Sequence, residues 1–335
     1  MPFVHASSIG AAPASGELEL RLEQHRVELT AYCYRMLGSA FEAEDAVQET
    51  FLRAWRGFDR FEGRAALRSW LYRIATNVSL DMLSGRRRRA TPMDLGPARD
   101  PDAPLGATLP EVTWIEPIPD GLAVQADGDP AEVALARETI RLAFVAALQH
   151  LPPRQRAVLI LCEVLRWKAA EVAELLETSV ASVNSALQRA RATLEASNVT
   201  LAETSPSVDG ADAALLARYV EAFQSYDMDA LTSLIHEDAT QSMPPYELWL
   251  SGREDILRFW VGPGAGCRGS RVLPTMAANG APAFGQFKPS ATGEGYEPWA
   301  LQVLEVSGGR IVGFTFFLDT DRVFPRFGLP LRLDS

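Results

Sequence analysis

Residues 91–130 carry eight prolines and four glycines with no hydrophobic period between them, and this stretch limits most strongly what the chain can fold into. Proline removes a backbone donor and clashes with the preceding helical turn, so a segment this dense can neither continue a helix nor sit in a central strand. The 335 residues are thereby divided into blocks on either side. Residues 91–130 read as a linker rather than a core. Its one aromatic island is WIEPIPD, Trp114 to Asp120, which Pro117 and Pro119 hold extended.

Before the linker the pattern is helical. Apolar residues recur at helical spacing from Leu18 to Leu37, and a second helix opens behind Gly38 and Ser39 with Glu42, Glu44 and Asp45 near its positive N-terminal end. A third helix buries the stripe Leu67, Trp70, Leu71, Ile74, Val78 and Leu83, and the block ends in Arg86, Arg87, Arg88 and Arg89. After the linker, Asp129 caps a helix whose first turn holds Pro130 and which runs to about Gln149; another starts at Pro152 and Pro153. AAEVAELLE, then Thr178 and Ser179, then SVASVNSALQRARATL, has the rhythm of a helix-turn-helix. Val180, Val183, Leu187, Ala190 and Leu194 form the buried stripe of its second helix, leaving Ala181, Asn184, Ser185, Gln188 and Arg191 outward. Amides, small residues and arginine suit a major groove. A solvated helix of an ordinary bundle would show the same face, and at this point both readings are open.

From about residue 210 the character changes. Two helical stretches lead into HEDATQSMPP, GREDILRFW is helical, and WALQVLEV, the turn Ser307-Gly308-Gly309 and RIVGFTFFLD form a strand pair. Helices first and an antiparallel sheet afterwards indicate α+β.

The formal net charge of −11 is unevenly spread. Residues 51–90 hold ten arginines against three acids, whereas residues 91–140 hold ten acids against two arginines. Residues 141–194 are again cationic, with seven bases against four acids. Salt screens charges beyond roughly 8 to 10 Å, so a cationic face still attracts phosphate on an acidic molecule, though weakly. Three cysteines, Cys33, Cys162 and Cys267, lie far apart without ligand spacing, so neither a disulfide framework nor a metal site is expected. No run of 18 apolar residues occurs and the first basic residue is Arg21, so a cytoplasmic protein with no membrane association is expected.

EDAVQETFLRAW at 44–55, RSWLYRIATNVSLDMLSGRRRR at 68–89 and LPPRQRAVLILCEV through LQRARATL at 151–194 together resemble the two conserved regions of a sigma-70 family RNA polymerase sigma factor of the extracytoplasmic-function group. The resemblance implies a multidomain chain. A flexible N-terminus at 1–17 precedes an all-α sigma region 2 at 18–90, the acidic linker at 91–130 and an all-α helix-turn-helix region 4 at 131–197. Residues 198–209 would be a second linker. Residues 210–330 resemble the SnoaL-like cone-shaped α+β fold that follows the sigma regions in several such groups, notably the SigG-like one, where it is read as a built-in regulator.

The resemblance also implies roles. Asp45, Gln48, Glu49, Phe51 and Leu52 would dock on core RNA polymerase, through its beta and beta-prime subunits. Trp55 sits in the same docking set by resemblance, but Phe51 and Trp55, at i and i+4, serve equally as core, and Trp55 is assigned to the core of the helical block. Arg60, Phe61, Arg64, Arg73, Asn77, Asp81, Arg86, Arg87, Arg88 and Arg89 would hold the separated -10 strand, with Phe58, Phe61 and Tyr72 offering stacking surfaces among the arginines; Trp70 is assigned to packing. Ser179, Ala181, Ser182, Asn184, Ser185, Gln188, Arg189 and Arg191 would read the -35 element of promoter DNA. Glu177 stands where relatives carry a turn glycine, at a cost of roughly 1 to 2 kcal/mol if left-handed. In the C-terminal block Tyr219, His236, Trp249, Trp299 and Phe316 mark a candidate small-molecule pocket, with packing the simpler role for Trp249, Trp260, Trp299, Phe314 and Phe316. His236, Asp238 and Asp319 form a conceivable acid-base set, but HEDA after a helix also serves as a turn. No cofactor and no enzymatic activity are expected. The competing readings are a cyclase- or isomerase-type enzyme or ligand sensor with appended DNA-binding helices, and an ordinary helix-turn-helix regulator.

Overall fold

The structure, a computed structural model, describes residues 15–61, 66–196, 210–291 and 293–334. The N-terminus expected to be flexible lies outside this range up to residue 14, as does all of the linker expected at 198–209.

The first block packs α1 (Ser15–Glu23), α2 (Arg26–Leu37), α3 (Ala40–Gly57) and α4 (Leu67–Leu83) around Leu29, Tyr32, Met36, Val47 and Leu71. Gly38 ends α2 in the left-handed region at φ 72, its N–H donating to the Tyr34 carbonyl at 2.8 Å, and the Ser39 hydroxyl then caps α3 by accepting from Glu42 N–H at 3.2 Å. The Gly-Ser pair therefore folds α3 back on α2.

A four-residue helix, α5 (Asp120–Ala123), precedes the second helical block. That block comprises α6 (Pro130–Glu138), α7 (Leu142–Gln149), α8 (Pro153–Leu159) extended by a π turn through Val164, α9 (Ala169–Leu175) and α10 (Val180–Ala196). The single helix expected from Asp129 to Gln149 is broken at Thr139 to Arg141, where Arg35 of α2 donates to the Thr139 carbonyl and hydroxyl at 3.1 and 2.7 Å.

The C-terminal block has α11 (Gly210–Ser225), α12 (Met228–Leu234), β1 (Ile235–Ser242), β2 (Trp249–Ser251), α13 (Arg253–Val261), β3 (Arg271–Pro274), β4 (Ala283–Pro289), β5 (Tyr296–Ser307), β6 (Arg310–Phe317) and α14 (Thr320–Arg326). Its six strands run β2-β1-β6-β5-β4-β3, antiparallel except for the parallel β1 and β6 pair. The turn between β5 and β6 pairs Ser307 with Arg310 across Gly308 and Gly309, both at positive φ, as a two-residue hairpin requires.

Alternation along β5 gives the sheet two buried faces. Ala300 and Leu304 face a core with Tyr219, Trp260 and Phe314, closed by the domain's own helices. Leu301 and Val303 join Phe287 and α14's Phe324 in a second core that continues without a break into both helical blocks. The three blocks are thus packed as one body.

The expectation of a linker without a core is corrected for the stretch 114–124. Trp114, Ile115 and Ile118 are 4%, 3% and 0% exposed. WIEPIPD is extended, as its prolines require, but it is wedged where the three blocks meet, and its backbone is satisfied across those boundaries. Glu116 N–H donates to the Gly38 carbonyl at 3.0 Å, Asn279 N–H to the Ile118 carbonyl at 3.0 Å, and Asp120 N–H to the Ala277 carbonyl at 2.9 Å.

Candidate functional site

The outer face of α3 follows from helical geometry. Ala43, Ala46, Val47, Thr50 and Ala54 are buried, so Asp45, Gln48 and Leu52 lie opposite, exposed. Trp55, seven residues after Gln48, shares that face and is 45% exposed beside Leu52 at 51%, so its assignment to the core is corrected. Phe51 is half-buried with the Arg26 guanidinium 4.9 Å from its ring centre, and Glu49 accepts from Arg53 at 2.7 Å. A large exposed aromatic and a leucine on one helix face, rimmed by polar groups, form a surface suited to a protein partner.

The cationic block is sorted by the fold into exposed and spent groups. Asn77, Asp81, Arg86, Arg87 and Arg88 are exposed; Arg53 reaches Asp81 at 3.3 Å, Arg86 pairs with Glu42, and Arg88 meets His150. Phe58, Phe61 and Trp70 form a ring cluster, with the Phe61 and Trp70 centroids 4.9 Å apart, which leaves Trp70 in the packing role expected of it. Arg73 is half-buried with its Nε shielded and unpaired. Of Arg60 only the backbone is described, and Arg64 lies outside the described residues.

Two expectations for this block are overturned. Arg89 is 7% exposed and donates to the Trp114 carbonyl at 2.5 Å and the Glu111 carbonyl at 3.1 Å, so it clamps the linker instead of facing nucleic acid. Tyr72 is fully buried, with the ring of Trp167 5.2 Å away and the Arg68 guanidinium within 5.1 and 5.7 Å of the two rings. A ring covered by the second helical block offers no face to a base.

On α10 every residue expected to read duplex DNA is exposed: Ser179, Ala181, Ser182, Asn184, Ser185, Gln188, Arg189 and Arg191. Val183, Ala190 and Leu194 are buried as the stripe requires, but Val180, the first residue of α10, is 44% exposed. Ser179 caps the helix, its hydroxyl accepting from Ser182 N–H at 3.1 Å. Arg191 is engaged by Glu163 and Arg189 donates to the Ser185 hydroxyl at 2.6 Å. Glu177 does adopt the left-handed conformation, at φ 51.

The two helical blocks are locked face to face by desolvated arginines. Arg35 and Arg156 are 3% and 2% exposed, and burial pushes each guanidinium down to about 10, which leaves both charged at neutral pH. Arg156 donates to the Met36 carbonyl of α2 and, at 2.6 Å, to the Gln149 side chain.

The C-terminal block holds this pair from behind. Asn279, in the turn between β3 and β4 and 1% exposed, donates to the Tyr34 hydroxyl at 2.6 Å and the Ile140 carbonyl at 2.7 Å while its Oδ1 accepts from Ile118 N–H at 3.0 Å. One side chain thus touches both helical blocks and the linker. Arg326 pairs with Glu44, and the guanidinium carbons of Arg322 and Arg326 stand 4.1 and 3.7 Å from the Phe41 ring centre. None of these contacts was foreseen from the sequence, where Glu44 stood out only as an acid at the start of α3. Asn279-Gly280 was detectable as the strongest short hairpin signal, but not what the turn inserts into.

Of the residues expected to line a ligand pocket, Trp299 and Phe316 do line a cavity in the C-terminal block. Tyr219 is core, its hydroxyl donating to Gln302 at 2.8 Å; His236 lies on β1 and Trp249 bonds the linker at the Gly96 carbonyl. These three do not line that cavity. Nor do Asp238, which is 3.9 Å from His236 on the surface, and Asp319, which reaches Arg322 at 3.3 Å, so the conceivable acid-base set is not assembled.

The sequence matches three families: Sigma-70 region 2 over residues 22–89, Sigma-70 region 4 over 141–194, and the SnoaL-like domain over 216–314. It is 45% identical over 333 residues to the ECF RNA polymerase sigma factor SigG of Mycobacterium tuberculosis, covering 98% of this chain and 88% of the relative. The ECF RNA polymerase sigma factor SigJ of the same organism is 31% identical over 72% of this chain and 71% of its own length. SigW of Bacillus subtilis is 32% identical over 48% of this chain and 78% of its own length. The crystal structure of the M. tuberculosis SigJ protein is similar in fold, with a TM-score of 0.57 at 22% identity over 95% of this chain and 99% of that one.

Proposed function

Because the chain belongs to the extracytoplasmic-function family of RNA polymerase sigma factors, we propose that its packed arrangement is a resting form that must open before a promoter can be engaged at both elements. The family places it as a transcription initiation factor acting with core RNA polymerase and promoter DNA. In our reading residues 18–90 dock on the beta-prime and beta subunits through Asp45, Gln48, Leu52 and Trp55, and Asn77 with Arg86, Arg87 and Arg88 attracts the opened -10 strand. Residues 131–197 read the -35 element through Ser179, Asn184, Ser185, Gln188 and Arg189. Residues 210–330 regulate these two regions, and the setting is the cytoplasm, where the polymerase works.

The observation that carries the reading is the burial of Tyr72 under Trp167 together with Arg35 and Arg156. Elements centred near positions -10 and -35 lie about 25 base pairs apart, or roughly 85 Å of duplex at about 3.4 Å per pair. Two modules in direct side-chain contact cannot span that distance. Core polymerase supplies the free energy of separation, because it binds the modules apart and not together.

The test is run-off transcription with core polymerase, comparing the full chain with one ending after residue 196. Discrete promoter-dependent transcripts are expected from both, with several-fold more from the shorter chain. Absence of any such transcript from the reconstituted enzyme rejects the reading of the sites, and equal yields reject the restraining role of the C-terminal block.

A further inference from the structure

The cavity in the C-terminal block lies on the opposite face of the sheet from the helical blocks, walled by Phe223, Trp260, Trp299 and Phe316. Its accessible room is about 130 Å³. An apolar cavity of about 150 Å³ accepts a benzene molecule, so this one is of the size for a single six-membered ring.

Of the polar groups in its wall, Gln286 is engaged by Ser270 and Gln302, Tyr226 donates to the Trp260 carbonyl and burial raises the Cys267 thiol, so Gln241 and Lys288 are left to donate to an occupant. Gln241 is 1% exposed; its Oε1 accepts from Trp260 Nε1 at 2.7 Å, which fixes the amide orientation, and its Nε2 reaches only the Met243 sulfur at 3.8 Å. A thioether is a weak acceptor, so a buried N–H is left with unused capacity beside the cavity. Lys288 places its Nζ 3.3 Å from the Trp299 ring centre. Glu297, its neighbour across β5, is engaged by the Ser290 hydroxyl at 2.5 Å, and no carboxylate belongs to the cavity wall among the described residues. An aromatic slot with a cation and an amide N–H and no competing acid selects a flat ring carrying an oxyanion.

One wall comes from elsewhere. Leu105, from the segment between the two sigma regions, closes the cavity. That segment is held on the C-terminal block by Arg99 N–H donating to the Trp249 carbonyl, Trp249 Nε1 to the Gly96 carbonyl and Leu109 N–H to the Pro245 carbonyl, each at 2.9 Å, and by Arg258 with Asp102.

We propose that this cavity binds a single-ring aromatic carboxylate of the benzoate class, and that its occupant tightens the inter-region linker by filling the space beneath Leu105. Room for the ring exists with Leu105 in place, so the ligand adds contacts to the linker and does not displace it. Occupancy then favours the packed form, which makes the ligand an inhibitor; this last step rests on the reading that the packed form is the resting one.

The test is titration of the full chain with sodium benzoate, read by calorimetry and by fluorescence of Trp260 and Trp299, with amide exchange followed over residues 99–109. Saturable one-site binding is expected. A hydrogen bond to a charged group is worth enough that Lys288→Met, or benzyl alcohol in place of benzoate, should weaken binding roughly tenfold. Exchange at Arg99 and Leu109 should slow several-fold on saturation, whereas Leu105→Ala should still bind benzoate without that slowing. No saturable binding, equal binding of benzyl alcohol, or unchanged exchange in the unsubstituted chain each overturns the proposal. None of these readouts uses transcription, so failure here leaves the resting-form reading standing, and failure of that reading leaves benzoate binding to be seen.

Discussion

Asn279 donates to the Tyr34 hydroxyl at 2.6 Å across 245 residues of sequence, joining a hairpin turn of the C-terminal sheet to the second helix of the chain. The turn residue sits at φ 54, and beside it Gly280 packs so closely that an added Cβ would lie 2.9 Å from the Arg137 carbonyl. Removing this side chain leaves the Ile118 N–H and the Ile140 carbonyl unpaired and takes one of two bonds from the Tyr34 hydroxyl, which still donates to the Glu116 carbonyl at 2.8 Å.

Asn279→Gly keeps the left-handed backbone and deletes only the amide, so its effect measures those bonds and not turn strain. Losing buried partners costs about 1 to 3 kcal/mol, which shifts the packed form toward opening by tenfold or more. Small-angle scattering should show an expanded chain, and promoter-dependent transcription with core polymerase should rise. An unchanged scattering profile would show that the apolar core alone holds the blocks together.

Trp55 provides a test of the polymerase-docking face that stability cannot confound. It is 45% exposed, so Trp55→Ala should leave the melting free energy within about 0.5 kcal/mol. At a protein interface an exposed tryptophan commonly carries 2 kcal/mol or more, so affinity for core polymerase, measured by surface plasmon resonance, should fall about thirtyfold. A large loss of stability with unchanged affinity would return Trp55 to a packing role.

The helical period made much of the fold legible: Gly38-Ser39 between two helices, Asp129-Pro130 at a helix start, and Val183, Ala190 and Leu194 on the recognition helix all stand where a local rule puts them. What was not legible depends on partners distant in sequence. Ile118 is fully buried although its neighbours are prolines, because cross-domain carbonyls and amides replace the secondary structure those prolines forbid. Arg89 belongs to a run that reads as a solvated cationic face, yet it turns inward to carbonyls of the linker. Of the aromatic residues proposed for the pocket, those on β5 and β6 line it, whereas Tyr219 serves the core; only the order of strands in the sheet decides which is which.

The junction is also sensitive to pH. Burial raises the carboxyl of Glu116, against the opposing pull of Arg89 and a hydrogen bond from Ser39, and burial raises that of Asp120, against the Gly280 N–H and Arg137. Separation of the blocks returns both to water and to ordinary carboxylate behaviour, so opening releases protons. The stability these groups lend the packed form is fully present below the ordinary range and is lost as pH rises through their raised values. Fluorescence transfer between labels on the two helical blocks should report more of the packed form at about pH 5 than at about pH 7.5. The double substitution Glu116→Gln and Asp120→Asn should flatten that dependence; a steeper or inverted one would place the responsible groups elsewhere.

The recognition helix separates specificity from simple attraction. Gln188 is exposed and its side chain makes no hydrogen bond or ion pair among the described residues, so its amide is ready to pair bidentately with a base edge, a contact worth about 1 to 3 kcal/mol of discrimination. Arg191, by contrast, is held by Glu163 and must leave that pair before it can meet DNA. Gln188→Ala should therefore relax the preference at one -35 position while changing little else, as read by transcription from a promoter library with core polymerase. Arg191→Ala should lower activity uniformly and by less than a free phosphate-binding arginine would, since exposed ion pairs return only about 0 to 1 kcal/mol when broken. Glu163→Gln then becomes the informative companion: freeing Arg191 should raise activity across all sequences and steepen its dependence on salt. A library in which Gln188→Ala lowers every promoter equally would remove Gln188 from base readout and leave it a groove-lining residue.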